Sequence, residues 1–214
     1  MKVPSVEQAQ QYLATARARN PGGWAEHSLV AAESARAIAT RHPALDPDCA
    51  YVLGMLHDIG RGAAGKLVAD VRHVVDGYRF MLEQGYEDSA RICLTHSFPI
   101  KQTDAFASRW DCPAEEKQFV QDYLDRVEYG AYDRLIQLCD ALSLPSGPCL
   151  MEKRLVDVAL RHGFNDLTLA KWRAFFALRQ EFDEAVGTSI YTLLPGVVEN
   201  TFGFSAEALA GDKR

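Results

Sequence analysis

Apolar residues recur at every third and fourth position along most of the chain, the spacing of one helix face rather than of a strand. The first such run covers 5–19, with Val6, Ala9, Tyr12 or Leu13, and Ala16 in register, and Asn20-Pro21-Gly22-Gly23 breaks it. The second, over 24–41, aligns His27, Val30, Ala31, Ser34, Ala35 and Ile38, so a histidine shares the apolar face. His42-Pro43 closes that helix. Asp46 with Pro47 behind it opens a third, since the carboxylate can accept from the first free N–H groups and proline at the first position gives up no bond. This third helix is expected to run through Leu53-Gly54-Met55-Leu56-His57-Asp58-Ile59 and stop near Gly60, with 61–65 a glycine-rich loop.

Asp70 is the expected cap of a helix reaching Gln84, with Gly85 as its stop, and His73, Gly77 and Phe80 or Met81 share one of its faces. A shorter helix over 87–97 lines up Ile92, Cys93 and His96 before Pro99 prevents its continuation. The stretch 102–111 has no decisive pattern, and 113–126 reads as a surface-rich helix. In the apolar helix 132–143, Ile136 and Asp140 fall on one face. Pro145-Ser146-Gly147-Pro148 is a turn, followed by amphipathic helices over 151–162 and 168–186 and a less regular tail. With no alternating run and no repeat, the predicted class is all-α. The expected organisation is a single domain over 1–214, with a bundle core at 24–143 and a C-terminal helical cap at 150–214 that shares its interior.

An apolar fraction of 48% is enough for a substantial core, and a net charge of −6 argues against a partner such as a nucleic acid polymer. An anionic small molecule would need locally placed positive charge instead. The five cysteines are odd in number and lack Cys-x-x-Cys spacing, so Cys49, Cys93 and Cys139 read as small buried hydrophobes. No signal-like or membrane-spanning run stands out, so a soluble cytoplasmic protein is expected.

The chemistry enters with the histidines. Of six, His27, His57, His73 and His96 fall on inward faces of successive helices, and Asp58 and Asp140 add carboxylates to faces that are otherwise apolar. A buried carboxylate needs a cation or strong donors. Imidazole with carboxylate suits iron, manganese, cobalt or zinc, and six ligands exceed the need of one tetrahedral ion, which favours a binuclear site. Singly, each residue has a plainer reading. His27 or His96 alone would be a core histidine, and His73 a solvated first-turn residue. The doublet alone would be a helix-end cap, and Asp140 a partner of Arg134 or Arg154. His42 and His162 fit no ligand slot and read as surface histidines, Lys66 as a solvated loop residue, and Trp172, Phe175, Phe176 and Phe182 as core.

The ordered set resembles the HD superfamily of metal-dependent phosphohydrolases. The likeness lies in His27, the doublet His57-Asp58 followed by Ile59-Gly60-Arg61, and Asp140 within Leu138-Cys139-Asp140-Ala141-Leu142-Ser143, over roughly 24–143. His73 and His96 are similar to the two extra histidines of the family's binuclear branches. The Glu-Asp pair of guanosine polyphosphate hydrolases and the Gly-Tyr-Pro signature of cyclic-dinucleotide phosphodiesterases are both missing. The resemblance implies two divalent metals: His27, His57, Asp58 and Asp140 would hold the first, and His73 and His96 the second with Asp58 bridging. It implies hydrolysis of a phosphoester or phosphoanhydride in a small, nucleotide-like anionic substrate. Asp58 and Arg61 would be catalytic, and Arg61 and Lys101 would contact phosphate. Two rivals stand beside it: an HD-type mixed-valent diiron oxygenase, with a similar four-His, two-Asp set, and a regulatory module that binds metal and nucleotide without turnover.

Overall fold

A computed structural model of the chain describes residues 1–63, 71–106 and 110–205. The expected positions of Asp70 and Lys66 lie outside the described residues, as do 107–109 within the ambiguous stretch. The architecture is all-α: α1 (Val6–Arg19), α2 (Trp24–Ala39), α3 (Pro47–Leu56), α4 (Gly60–Ala63), α5 (His73–Glu83), α6 (Glu87–Thr95), α7 (Ala114–Arg126), α8 (Ala131–Asp140), α9 (Met151–His162), α10 (Thr168–Val186) and α11 (Val197–Phe202). Thr103–Ala105 and Ile190–Leu193 are single 3₁₀ turns. The first helix opens on a reciprocal cap in which Ser5 Oγ accepts from Gln8 N and Gln8 Oε1 from Ser5 N. Asp46 caps α3 through Cys49 N at 2.7 Å.

Two departures from the sequence reading bear on the site. First, α3 ends at Leu56, and Gly60–Ala63 is a helical turn rather than the start of a loop. Tight i→i−3 bonds carry the chain through the doublet: Ile59 N to Leu56 O, Arg61 N to Asp58 O and Gly62 N to Ile59 O, at 3.0–3.1 Å. Second, α8 ends at Asp140, and the chain forms a two-residue antiparallel ladder, β1 (Ser143–Leu144) with β2 (Gly147–Pro148), too short to leave an alternating pattern.

Two glycines let the helices that carry the candidate ligands approach. A Cβ on Gly54 would lie 2.7 Å from Ala32 Cα, so α3 packs backbone to backbone on α2 beside its alanines. A Cβ on Gly60 would lie 2.0 Å from the His73 carbonyl oxygen, so α4 can touch the start of α5 only without a side chain there.

Ile38, Leu53, Leu135, Leu138, Met151, Leu155, Phe175 and Phe182 form one core cluster, to which α2, α3, α8, α9 and α10 all contribute. The C-terminal helices therefore share the bundle's interior. A polar tie fixes α6 on α8: the Arg91 guanidinium pairs with the buried Asp133 carboxylate (2.6 Å), which also accepts from Thr95 Oγ1 (2.8 Å) and Gly130 N (2.8 Å). Gln137 Nε2 adds a bond to Thr95 O at 3.1 Å. The helix that ends in His96 is thereby keyed to the helix that ends in Asp140. All five cysteines are free thiols, and Cys93 and Cys139 are buried as expected while Cys49 is half-buried. Among the described residues no helix is long and apolar enough to cross a membrane.

Candidate metal centre

The six sequence-selected residues meet at helix ends. His27 lies in the first turn of α2, His57 and Asp58 follow α3, His73 begins α5, His96 caps α6, and Asp140 closes α8. All four imidazoles are at most 5% exposed, and Asp58 is 4% exposed. His27 Nε2 is 3.0 Å from Asp140 Oδ1 and 3.3 Å from His57 Nε2. Asp58 Oδ1 is 3.1 Å from His73 Nε2 and 3.5 Å from His96 Nε2, and those two nitrogens are 3.4 Å apart. His57 and Asp58 sit between the two groups, with His57 Nε2 4.0 Å from Asp58 Oδ2.

The outer nitrogens decide what the inner ones can do. His27 Nδ1 lies 3.0 Å from Ser143 O, His57 Nδ1 2.7 Å from Gly54 O, and His96 Nδ1 3.0 Å from Cys93 O. A carbonyl oxygen only accepts, so each Nδ1 carries a proton, and in the single-proton form each imidazole turns a lone pair inward. For His57 and His96 the acceptors are carbonyls in the last turn of the preceding helix, which have no partner further along it. For His27 it is the first residue of β1. The inner atoms are thus acceptors facing acceptors at 3.0–3.5 Å, an arrangement that repels unless cations lie among them. Asp58 Oδ1 is buried and has no hydrogen-bond donor of good geometry among the described residues. One inner atom from each of His27, His57 and Asp140 lies within 4.8 Å of the others, and the same holds for His57, Asp58 and His96, so two overlapping triads could each hold a metal ion.

Burial pushes the His57 imidazole down to about 4, more than the neighbouring carboxylates restore, which keeps it neutral. His73 is lowered too, by burial and by Arg61. Burial alone would raise Asp58 and Asp140, but it is outweighed. Arg61 holds Asp58 well below the usual carboxylate range, and Arg154 acts in the same direction on Asp140; His73, His57 and His27 add to this only when their inner nitrogens carry a proton. Carboxylates that stay ionised and imidazoles that stay neutral are the forms a metal requires.

The remaining expectations divide. Arg61 Nε lies 2.5 Å from Asp58 Oδ2, the oxygen turned away from His73 and His96, and its side chain borders the cavity. Lys101 does not join the site. Its ammonium donates to Val127 O at 2.6 Å and lies over the Tyr129 ring, because the chain after Pro99 turns toward the end of α7. Of the two arginines suggested for Asp140, Arg154 comes within 3.8 Å and Arg134 pairs with Glu181 instead.

A cavity of about 140 Å³ opens over His27, Asp58, His96 and Asp140. Its far wall brings in residues that the sequence reading assigned elsewhere. His162, read as a surface residue, and Trp172, read as core, both line it, as do Phe106, Arg154, Arg161 and Lys171. Phe175 and Phe182 are core, and Phe175 also reaches the cavity. The available signal was Lys171 itself, a cation one turn before the buried Phe175 on the same helix face.

Fold and site define an all-α protein whose buried histidine–aspartate cluster can hold divalent metal. The chain belongs to the HD-domain family: residues 24–144 match the HD domain model, which takes in His27, the doublet, His73, His96 and Asp140. The family consists broadly of metal-dependent phosphohydrolases. No curated protein and no solved structure matches the chain.

Proposed function

We propose that the chain is a metal-dependent phosphohydrolase that cleaves a phosphoester or phosphoanhydride in a small anionic substrate. One observation carries the reading: imidazoles held at Nδ1 by backbone carbonyls turn Nε2 toward one buried space shared with two carboxylates, beneath a cavity whose opposite wall is cationic. His27, His57 and Asp140 would hold one divalent ion, and Asp58, His73 and His96 a second, with His57 and Asp58 at the junction. Bound there, the ions would supply a water acidic enough to attack phosphorus near neutral pH.

The chain's own groups have definite tasks. The carbonyls of Ser143, Gly54 and Cys93 hold three rings in the Nδ1–H form and in a fixed orientation. Arg61 steadies Asp58, and its guanidinium at the cavity edge can take charge from the phosphoryl oxygens. The apolar walls formed by Ala105, Phe106, Leu155 and Phe175 limit competing water. In the overall step the bond from phosphorus to the leaving oxygen breaks. The oxygen of water goes to phosphorus, and a proton from water goes to the leaving oxygen.

Purified protein assayed for metal content and for hydrolysis of a phosphoester panel tests this. Asp58→Ala is expected to lose both together. If it retains both, or if the wild type hydrolyses no phosphoester with any divalent metal and shows a mixed-valent iron signal, the reading fails.

A further inference from the structure

The far wall of the cavity is built by α9 and α10, beyond the part of the chain that matches the family model. Its basic side chains differ in how far they are already engaged. Arg161 donates to Asp157 through Nε and Nη2 (3.2 and 2.9 Å) and is half-exposed. Arg154 gives Nη1 to Asp157 at 3.0 Å and holds Nη2 3.8 Å from Asp140, while its buried Nε has no acceptor among the described residues. Lys171 has neither a hydrogen-bond acceptor nor an ion-pair partner for its ammonium among the described residues. The ammonium rests over the rings of Phe106 (5.3 Å) and Phe175 (5.9 Å). Ring faces restore only part of the hydration a half-buried ammonium loses, so this cation is set for an anion that enters the cavity. Burial pushes the Lys171 amine down to about 8, with the Asp140 carboxylate opposing the shift and Arg154 adding to it, so the amine is still mostly charged at neutral pH.

Size limits what that anion belongs to. The cavity holds about 140 Å³, close to the ~150 Å³ that accommodates benzene and well below the ~300 Å³ at which ordinary ligand pockets begin. A chain of a few carbons with its end groups is of that size. A base with its ribose exceeds that volume and would have to extend beyond the cavity. Asn165 Nδ2 donates to Asp104 O at 2.9 Å, which ties the α9–α10 connection to the turn before Phe106.

We propose that Lys171 and Arg154 form a second anion subsite, and that the substrate is a compact organic phosphate bearing another anionic group a few atoms from phosphorus. Which end reacts rests on the hydrolase reading; the subsite rests on the cavity alone. The nucleotide-like substrate expected from the sequence is the competing outcome.

Calorimetric titration of the manganese-loaded protein with phosphoglycolate and with ethyl phosphate, beside steady-state hydrolysis of both and of AMP, tests the proposal. Phosphoglycolate should bind about tenfold or more tightly than ethyl phosphate, as expected for one buried charge pair. Lys171→Met should remove that advantage, and Lys171→Arg should keep most of it. The ratio of two ligands in one sample does not depend on how much of the variant is folded. Equal binding of the two esters by the wild type, an unchanged ratio in Lys171→Met, or AMP as the preferred substrate would overturn the subsite. The expected ratio with no hydrolysis of either ester would uphold the subsite and count against the hydrolase reading. Hydrolysis of both without preference would do the reverse.

Discussion

At the scale of single residues, the site depends on which atom of each imidazole carries the proton. Three backbone carbonyls make that choice, and His57 adds that it is buried deeply enough to resist charging. A sign follows for stability. With a folded value of about 4 against an ordinary 6.5, the unfolded chain binds the extra proton anywhere between those limits. The contribution of neutral His57 is complete above about pH 6.5 and is lost as pH falls toward 4, on the order of 3 kcal/mol in all. Chelator-treated protein should therefore melt progressively lower across that window, and His57→Gln should flatten the slope. A melting temperature that stays level from pH 6.5 to 4 would contradict the assignment. Lys101 provides a second residue-scale check, since its ammonium is engaged by Val127 O away from the cavity. Lys101→Ala should leave kcat/KM within about twofold, the scatter of an ordinary surface change. A large rise in KM would return it to the phosphate site.

At the scale of elements, contacts between helices set the ligand spacing. Gly60→Ala would drive a methyl group into the His73 carbonyl, and α4 would have to part from α5. The expected cost is about 1–3 kcal/mol of stability. It should come with selective loss of metal from the His73, Asp58 and His96 group, read as a drop in stoichiometry rather than complete loss. The Arg91–Asp133 tie should respond asymmetrically. Arg91→Met leaves a buried carboxylate without its cation, at about 3 kcal/mol or more. Asp133→Asn leaves an arginine that is 32% exposed and can turn to water, and should cost less. Denaturant titration of the two variants measures the order.

At the scale of the whole molecule, the helical bundle and its inward histidines were legible because both depend on local regularities. Apolar spacing marks a helix face, and a histidine on that face is visible in the sequence. The bounds of α9 and α10 were legible for the same reason. The break after Leu56 was not, because Ile59 continues the apolar run of the helix while the close approach at Gly60 bends the path. Nor was the cationic wall. In one dimension Lys171 and Arg154 look like ordinary polar positions of amphipathic helices, and only the packing of α9 and α10 over the bundle brings them to the cavity that the histidine–aspartate cluster lines. Lys101 failed the other way: it follows His96 closely in sequence, yet the turn after Pro99 carries it off. Sequence distance reported well on residues held within one helix and poorly on residues brought together by the path between helices.

The central claim is that these six side chains form a cage for divalent cations. Metal analysis by plasma mass spectrometry on wild type and Asp58→Ala, after dialysis against metal-free buffer, tests it most directly. The account predicts about two ions per wild-type chain, as in other binuclear hydrolytic sites, with the variant falling well below one while its circular dichroism stays helical. A wild-type protein that remains folded and metal-free after supplementation with manganese, iron, cobalt or zinc would contradict it.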